Sequence, residues 1–394
     1  MRLIPLAFPA IVLASASPLL AHHGGGTFDL TKSVTYNGTL TKVELVNPHS
    51  WLYFDVKEAN GKVTHHRCEM RSVHVLRRSG WAKEQFPIGV PVTVEAAPDK
   101  VDPGSCYLNT IRFADGTHMD RYGQYVKGSG GALTEVRGPV SAPNATGRAL
   151  RRPTGELNIS GDWAPEQLVM ANPRGTGGGL VPLGSLPEVD ARGPQARGGG
   201  GGGRRGAPPT GPRLYGGTEL TDAGTQAVAT FKQQDNPRFR CETTSIIFDW
   251  TFDGPVNRIT QNKDSIELLY GQMGLKRTIY MTVKDHPANV KLTRAGHSIG
   301  RWDGDVLIVD TARFLPGVLN GPVPNSDKLH VVERFSLDTK TMKLTRAYEA
   351  DDPVYLKGVY KGSDVIGVAD APYTKDVCKE QGFINYSQQV GAKK

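Results

Sequence analysis

Two histidines follow an apolar leader in the stretch Leu19-Leu20-Ala21-His22-His23-Gly24-Gly25-Gly26. If an export protease cuts after Ala21, His22 becomes the first residue, and its α-amine and imidazole can chelate one metal ion. A third nitrogen is available from His49, on the turn Asn47-Pro48-His49-Ser50. Three nitrogens in a T-shape suit copper, for which imidazole is a good ligand. His23 and the pair His65-His66 stand in reserve. Successive side chains on a strand point to opposite faces, so one ring of that pair faces each side.

A second constellation lies late in the chain. His297, Asp310, His330 and Arg334 are candidate ligand-binding residues on neighbouring predicted strands, and with Glu333 they offer an acid/base pair inside a barrel. Alternation puts His330, Val332 and Arg334 on one face and Val331, Glu333 and Phe335 on the other. His330 and Glu333 therefore cannot both point inward. Glu333 or Arg334 is expected in a cross-strand ion pair, and His297 as a hydrogen-bonded residue at the edge of the core. No Ser nucleophile elbow, P-loop or His-Glu-x-x-His is present, so no residue is assigned to catalysis.

The elements that must position these groups are mostly strands. Residues 1–21 read as a secretory signal, with Arg2 as the positive region and Leu3–Leu13 as the apolar one. Ala14-Ser15-Ala16 offers a second cut site, which would leave Ser17 first. Within 22–125, strands are expected at Val34–Leu45, Trp51–Val56, Lys62–Met70, Pro91–Ala97 and Cys106–Phe113, with a helix over Ser72–Phe86. Three strands, a helix and two strands is the order of a five-stranded OB-type barrel.

Residues 126–213 carry the run Gly198–Gly203 and ten arginines against six acids from Gly128 on. Such a composition buries too little surface to offset its ordering entropy and reads as a disordered Gly/Pro/Arg tether. One strand is expected within it at Glu156–Trp163, and its Gly161-Asp162-Trp163 is a candidate first strand for the C-terminal sheet. From 214 to 394 a helix at Thr218–Gln234 leads into strands at Thr243–Phe252, Val256–Asn262, Ser265–Tyr270, Lys276–Val283, His297–Trp302, Val306–Arg313, His330–Leu337, Met342–Glu349 and Tyr355–Gly362. This spacing predicts an antiparallel β-barrel or a strongly curved sheet. Trp250, Phe252, Tyr270, Tyr280, Trp302, Phe314 and Phe335 are its aromatic core, or the lining of a small-molecule cavity.

Residues 21–120 resemble the DUF6152 family of exported bacterial proteins. The matching features are Ala21-His22-His23, the Val34–Val46 strand, Asn47-Pro48-His49-Ser50-Trp51, Gly80-Trp81 and the Gly89–Val94 strand. The resemblance implies an exported β domain and supplies no activity. Gly296–Asp305 and His330–Phe335 resemble the tail domain of other exported bacterial proteins of unknown function.

About half of the net charge of +8 lies in the tether, and no basic face is evident on the folded parts, which weakens a nucleic-acid reading. No stretch reaches the length of a membrane span. Four cysteines in an exported chain suggest two disulfides, with three possible pairings. Cys68–Cys106 and Cys241–Cys378 keep each bridge within one domain. The expected protein is a periplasmic or secreted binding protein, with copper at the mature N-terminus. A lipocalin-like carrier or a scaffold is the alternative, and an enzyme less so.

Overall fold

The computed structural model describes residues 28–78, 81–121, 125–127, 134–136, 149–166, 168–170, 180–182, 218–232, 235–381 and 386. The leader, His22, His23 and most of the segment read as a tether lie outside them.

Strands β1 (Val34–Glu44), β2 (Trp51–Lys57), β3 (Val63–Glu69), β4 (Pro91–Pro98) and β5 (Ser105–Phe113) close a barrel in the order β1-β2-β3-β5-β4. This is the OB-type arrangement expected, with helix α1 (Val73–Arg78) between β3 and β4. Alternation sorts the residues: Leu52 and Phe54 on β2 are fully buried, while Trp51, Tyr53 and Asp55 face outward. β1 serves two partners, β4 over Val34–Thr39 and β2 over Thr39–Glu44. Gly38 stands at the change, and a Cβ there would meet the Asp55 carbonyl oxygen at 2.6 Å. Short strands β6 (His118–Asp120), β7 (Tyr125–Lys127) and β8 (Thr134–Val136) extend the sheet beyond β5.

The helix expected over Ser72–Phe86 is shorter. Trp81 N–H donates to the Leu76 carbonyl just past α1, and a 3-10 turn follows at Lys83–Gln85. The broken path turns Leu76, Trp81 and Phe86 into one core.

Nine strands build the second barrel. They are β9 (Gly161–Pro165), β12 (Asn257–Gln261), β13 (Ser265–Leu269), β14 (Lys276–Tyr280), β15 (His297–Asp303), β16 (Val306–Ala312), β19 (His330–Asp338), β20 (Lys343–Asp351) and β21 (Tyr360–Val368). They close in the order β12-β13-β14-β15-β16-β19-β20-β21-β9. Hairpins β10 (Leu168–Met170)–β11 (Leu180–Pro182) and β17 (Gly317–Asn320)–β18 (Val323–Asn325) stand outside it. Strand β9, from within the segment read as a tether, seals the barrel between β12 and β21 and buries Trp163 completely. The barrel is not purely up-and-down, because β14 and β15 pair in parallel, so the loop 281–296 must return the chain to the end where β14 began. Helix α2 (Asp222–Thr230) precedes it, capped by the Thr221 hydroxyl on Gly224 N–H.

Two expected strands differ. Thr243–Phe252 is no strand: Asp249 accepts from Thr244 N–H and the Ser245 hydroxyl accepts from Phe248 N–H. These local bonds compete with a ladder and wind the segment into a 3-10 turn at Phe248–Trp250. The turn drives Trp250 into the core. The last strand runs later than Tyr355–Gly362. Gly362 is no turn but a close approach, since a Cβ there would lie 2.2 Å from the Tyr348 hydroxyl.

Of the aromatic set, Trp250, Tyr270, Phe314 and Phe335 are core, whereas Phe252 and Tyr280 are exposed and Trp302 is partly buried. Charged groups share this interior. Arg277 and Arg346 both reach Glu333, and Arg346 continues to Asp364. Arg277 also donates to Ser298 and Thr311 hydroxyls at 2.9 and 2.8 Å. Glu333 thus makes the expected cross-strand pair, and Arg334 stays exposed on the outer face.

Both disulfides form as expected. Cys68–Cys106 joins register partners of β3 and β5. Cys241–Cys378 ties the approach to the second barrel to the C-terminal segment, beside Asn47 of the first barrel.

Candidate functional site

The turn bearing His49 lies at the junction of the two barrels. Its Asn47–Pro48 peptide is cis. The C-terminal segment holds it on both sides: Asn47 N–H donates to the Val377 carbonyl, Lys379 N–H donates to the Asn47 carbonyl, and Gln381 Nε2 donates to the His49 carbonyl at 2.6 Å. Asp376 adds contacts to Asn47 Nδ2 and to His74 Nε2. A second clamp is Arg78, bidentate on Asp370 at 2.9 and 3.2 Å.

Within this setting His49 Nδ1 lies 3.2 Å from Glu69 Oε1, and the edge of the ring meets Phe239. Burial opposes charge on this imidazole, but the adjacent Glu69 carboxylate outweighs it and raises His49 above the ordinary value. With Nδ1 so held, Nε2 is the atom left for a ligand. Phe28, the first described residue, stacks on Tyr107 at 5.1 Å, and Tyr107 is the register partner of Glu69. The reserve pair divides as alternation requires. His65 bonds Asp55 at 2.7 Å, and His66 stacks on Phe54 with its value lowered mainly by burial.

The second constellation comes together on the other face from that expected. His297, Asp310 and His330 project from the outside of the barrel, because Ser298, Val309, Thr311, Val331 and Glu333 take the inside. An acid/base pair inside the barrel is therefore excluded for these residues. A chain of four groups forms there instead, running from half-exposed His330 inward to His297, which is largely buried as expected. His330 Nε2 and His286 Nε2 both bond Asp310 Oδ1, at 2.8 and 3.0 Å, and His286 Nδ1 bonds His297 Nδ1 at 2.8 Å. Tyr280 stacks on His297.

The bond to His330 holds Asp310 below the ordinary carboxylate value, against the cost of burial. The same bond raises His330, while burial and the nearby His286 lower His297. His286 was not legible because it rides on a loop without periodicity. Arg334 shares the outer face but makes no hydrogen bond with the chain among the described residues. This arrangement can pass and store protons. His286 spends both ring nitrogens within it, and among the described residues no three His, Cys, Asp or Glu side chains are gathered to hold a metal ion.

Among the described residues, no helix is long and apolar enough to cross a membrane. Two disulfides are the chemistry of an oxidising compartment.

Residues 10–105 match a family of unknown function, DUF6152. The match ends at the first residue of β5, so it covers most of the first barrel and none of the second. Neither the curated proteins nor the solved structures contain a match to the chain.

Proposed function

We propose that this is an exported binding protein that takes up copper through a mature N-terminal His22, with His49 as the third nitrogen and His23 in reserve. The observation that carries the reading is the His49–Glu69 pair. A carboxylate on one ring nitrogen fixes the tautomer and aims the other nitrogen, as outer-shell carboxylates do for metal-bound imidazoles. Phe28 supports it: five residues from His23 to Phe28 span up to about 18 Å extended, and Phe28 is anchored beside the strand partner of Glu69.

Copper at Nε2 competes with the second proton of the charged ring that Glu69 favours, so affinity falls as the solution becomes more acidic. The test is mass spectrometry of the secreted protein to fix its first residue, followed by copper titration of the mature protein and of His49→Ala. A ligand role predicts affinity at least ten-fold weaker in the variant, about 1.4 kcal/mol. A chain that starts at Ser17, or equal affinities, would reject the reading.

A further inference from the structure

We propose that the groove across the outer face of the first barrel binds a chain of acidic sugars. The groove encloses about 700 Å³ and runs over β1, β2, β4 and β5, where β1 changes partners. That volume is within the range of small-ligand sites, and its open form suits a length of chain better than an enclosed molecule.

Its lining is built for hydroxyls and anions. Asn37, Thr93 and Arg112 stand side by side on neighbouring strands, and Thr39 lies opposite Asp55. The row is ordered: Thr93 Oγ1 donates to Asn37 Oδ1 at 3.0 Å, and His65 holds Asp55 at 2.7 Å. Thr39, Asn37 and Asp55 offer hydrogen bonds to sugar hydroxyls. Lys57 and Arg112, both exposed, also line the groove, and neither has a carboxylate partner among the described residues. Two unpaired cations beside ordered hydroxyls and one fixed acid match a polymer carrying both hydroxyl and carboxylate groups.

A single-stranded nucleic acid fits less well. Such grooves stack bases on aromatic side chains, and the aromatic residue lining this one, Phe113, is only 8% exposed.

The experiment uses the full mature chain, titrated calorimetrically with a short oligogalacturonide, a neutral malto-oligosaccharide of the same length, an oligoaspartate and an oligothymidylate. The site predicts binding of the oligogalacturonide that weakens with salt, and binding of each control at least ten-fold weaker. The double variant Lys57→Ala/Arg112→Ala should lose at least ten-fold in affinity while its melting temperature and copper titration stay unchanged. Equal binding of oligoaspartate would reduce the groove to a general anion patch. Stronger binding of oligothymidylate would make it a nucleic-acid face. No oligogalacturonide binding, or undiminished binding in the variant, would overturn the proposal. Copper uptake is read separately, so failure of either account leaves the other standing.

Discussion

Asp310 decides how His330 titrates. Its bond to His330 favours the charged ring, so the folded-state value exceeds the ordinary 6.5. The resulting stabilisation is complete below the unfolded imidazole value and drains away as pH rises through the folded one. Asp310 itself is held below 3.8, so its share is present above that value and is lost as pH falls through the folded one. Asp310→Asn should bring the His330 titration, read by NMR of the ring protons, back toward 6.5. An unshifted curve would mean that the chain of four groups does not persist in solution. Asp249 behaves oppositely. Complete burial pushes it up to about 7, so it costs stability as pH climbs from 3.8 toward that value. Asp249→Asn keeps the acceptor for Thr244 N–H and should flatten that part of the stability–pH curve, measured by urea unfolding.

At the scale of elements, the long strands were legible because alternation had a buried side to report, while short ones such as β6 and β18 were not. The β19 pattern set Glu333 and Arg334 on opposite faces, and the structure shows Glu333 on the buried one. The segment Thr243–Phe252 was misread because its composition suits a strand while its side-chain-to-backbone bonds favour a turn. The last strand was expected to stop at Gly362, where glycine marks a close approach to Tyr348 and not a strand end. His286 left no trace, since a loop residue is placed by tertiary contacts alone. Two substitutions probe the barrel. Glu333→Ala strands Arg277 and Arg346 without their shared carboxylate and should cost about 3–5 kcal/mol, by the behaviour of broken buried pairs. Trp163→Ala empties the closing strand and should cost about 3–5 kcal/mol. Denaturant midpoints within error of the unaltered protein would place neither residue in the core.

Across the whole molecule, the sequence pattern announced two barrels but not their junction. Partners such as Arg78 and Asp370, or Asn47 and Asp376, are hundreds of positions apart, and neither residue of a pair carries a local signal. The C-terminal segment straps the second barrel onto the His49 turn, and Cys241–Cys378 fastens the strap. The bridge spans 137 residues of sequence. In the chain-entropy model its removal costs about 5 kcal/mol. Cys241→Ser/Cys378→Ser should therefore lower the melting temperature, and it should speed hydrogen exchange at Asn47 N–H, which donates to Val377. Unchanged exchange at Asn47 would mean that the strap holds without its fastening.

The central claim is that copper is gripped by the leading amine and ring of His22 together with His49. The most direct measurement compares copper affinity and the electron paramagnetic resonance spectrum of protein beginning at His22 with those of protein retaining Ala21 ahead of it. Retaining Ala21 moves the free amine one residue away from the imidazole. The account predicts an altered nitrogen coupling pattern in the extended protein, where Ala21-His22-His23 offers its amine, backbone amides and the His23 ring in place of the His22 chelate and His49. Identical spectra in the two would contradict it.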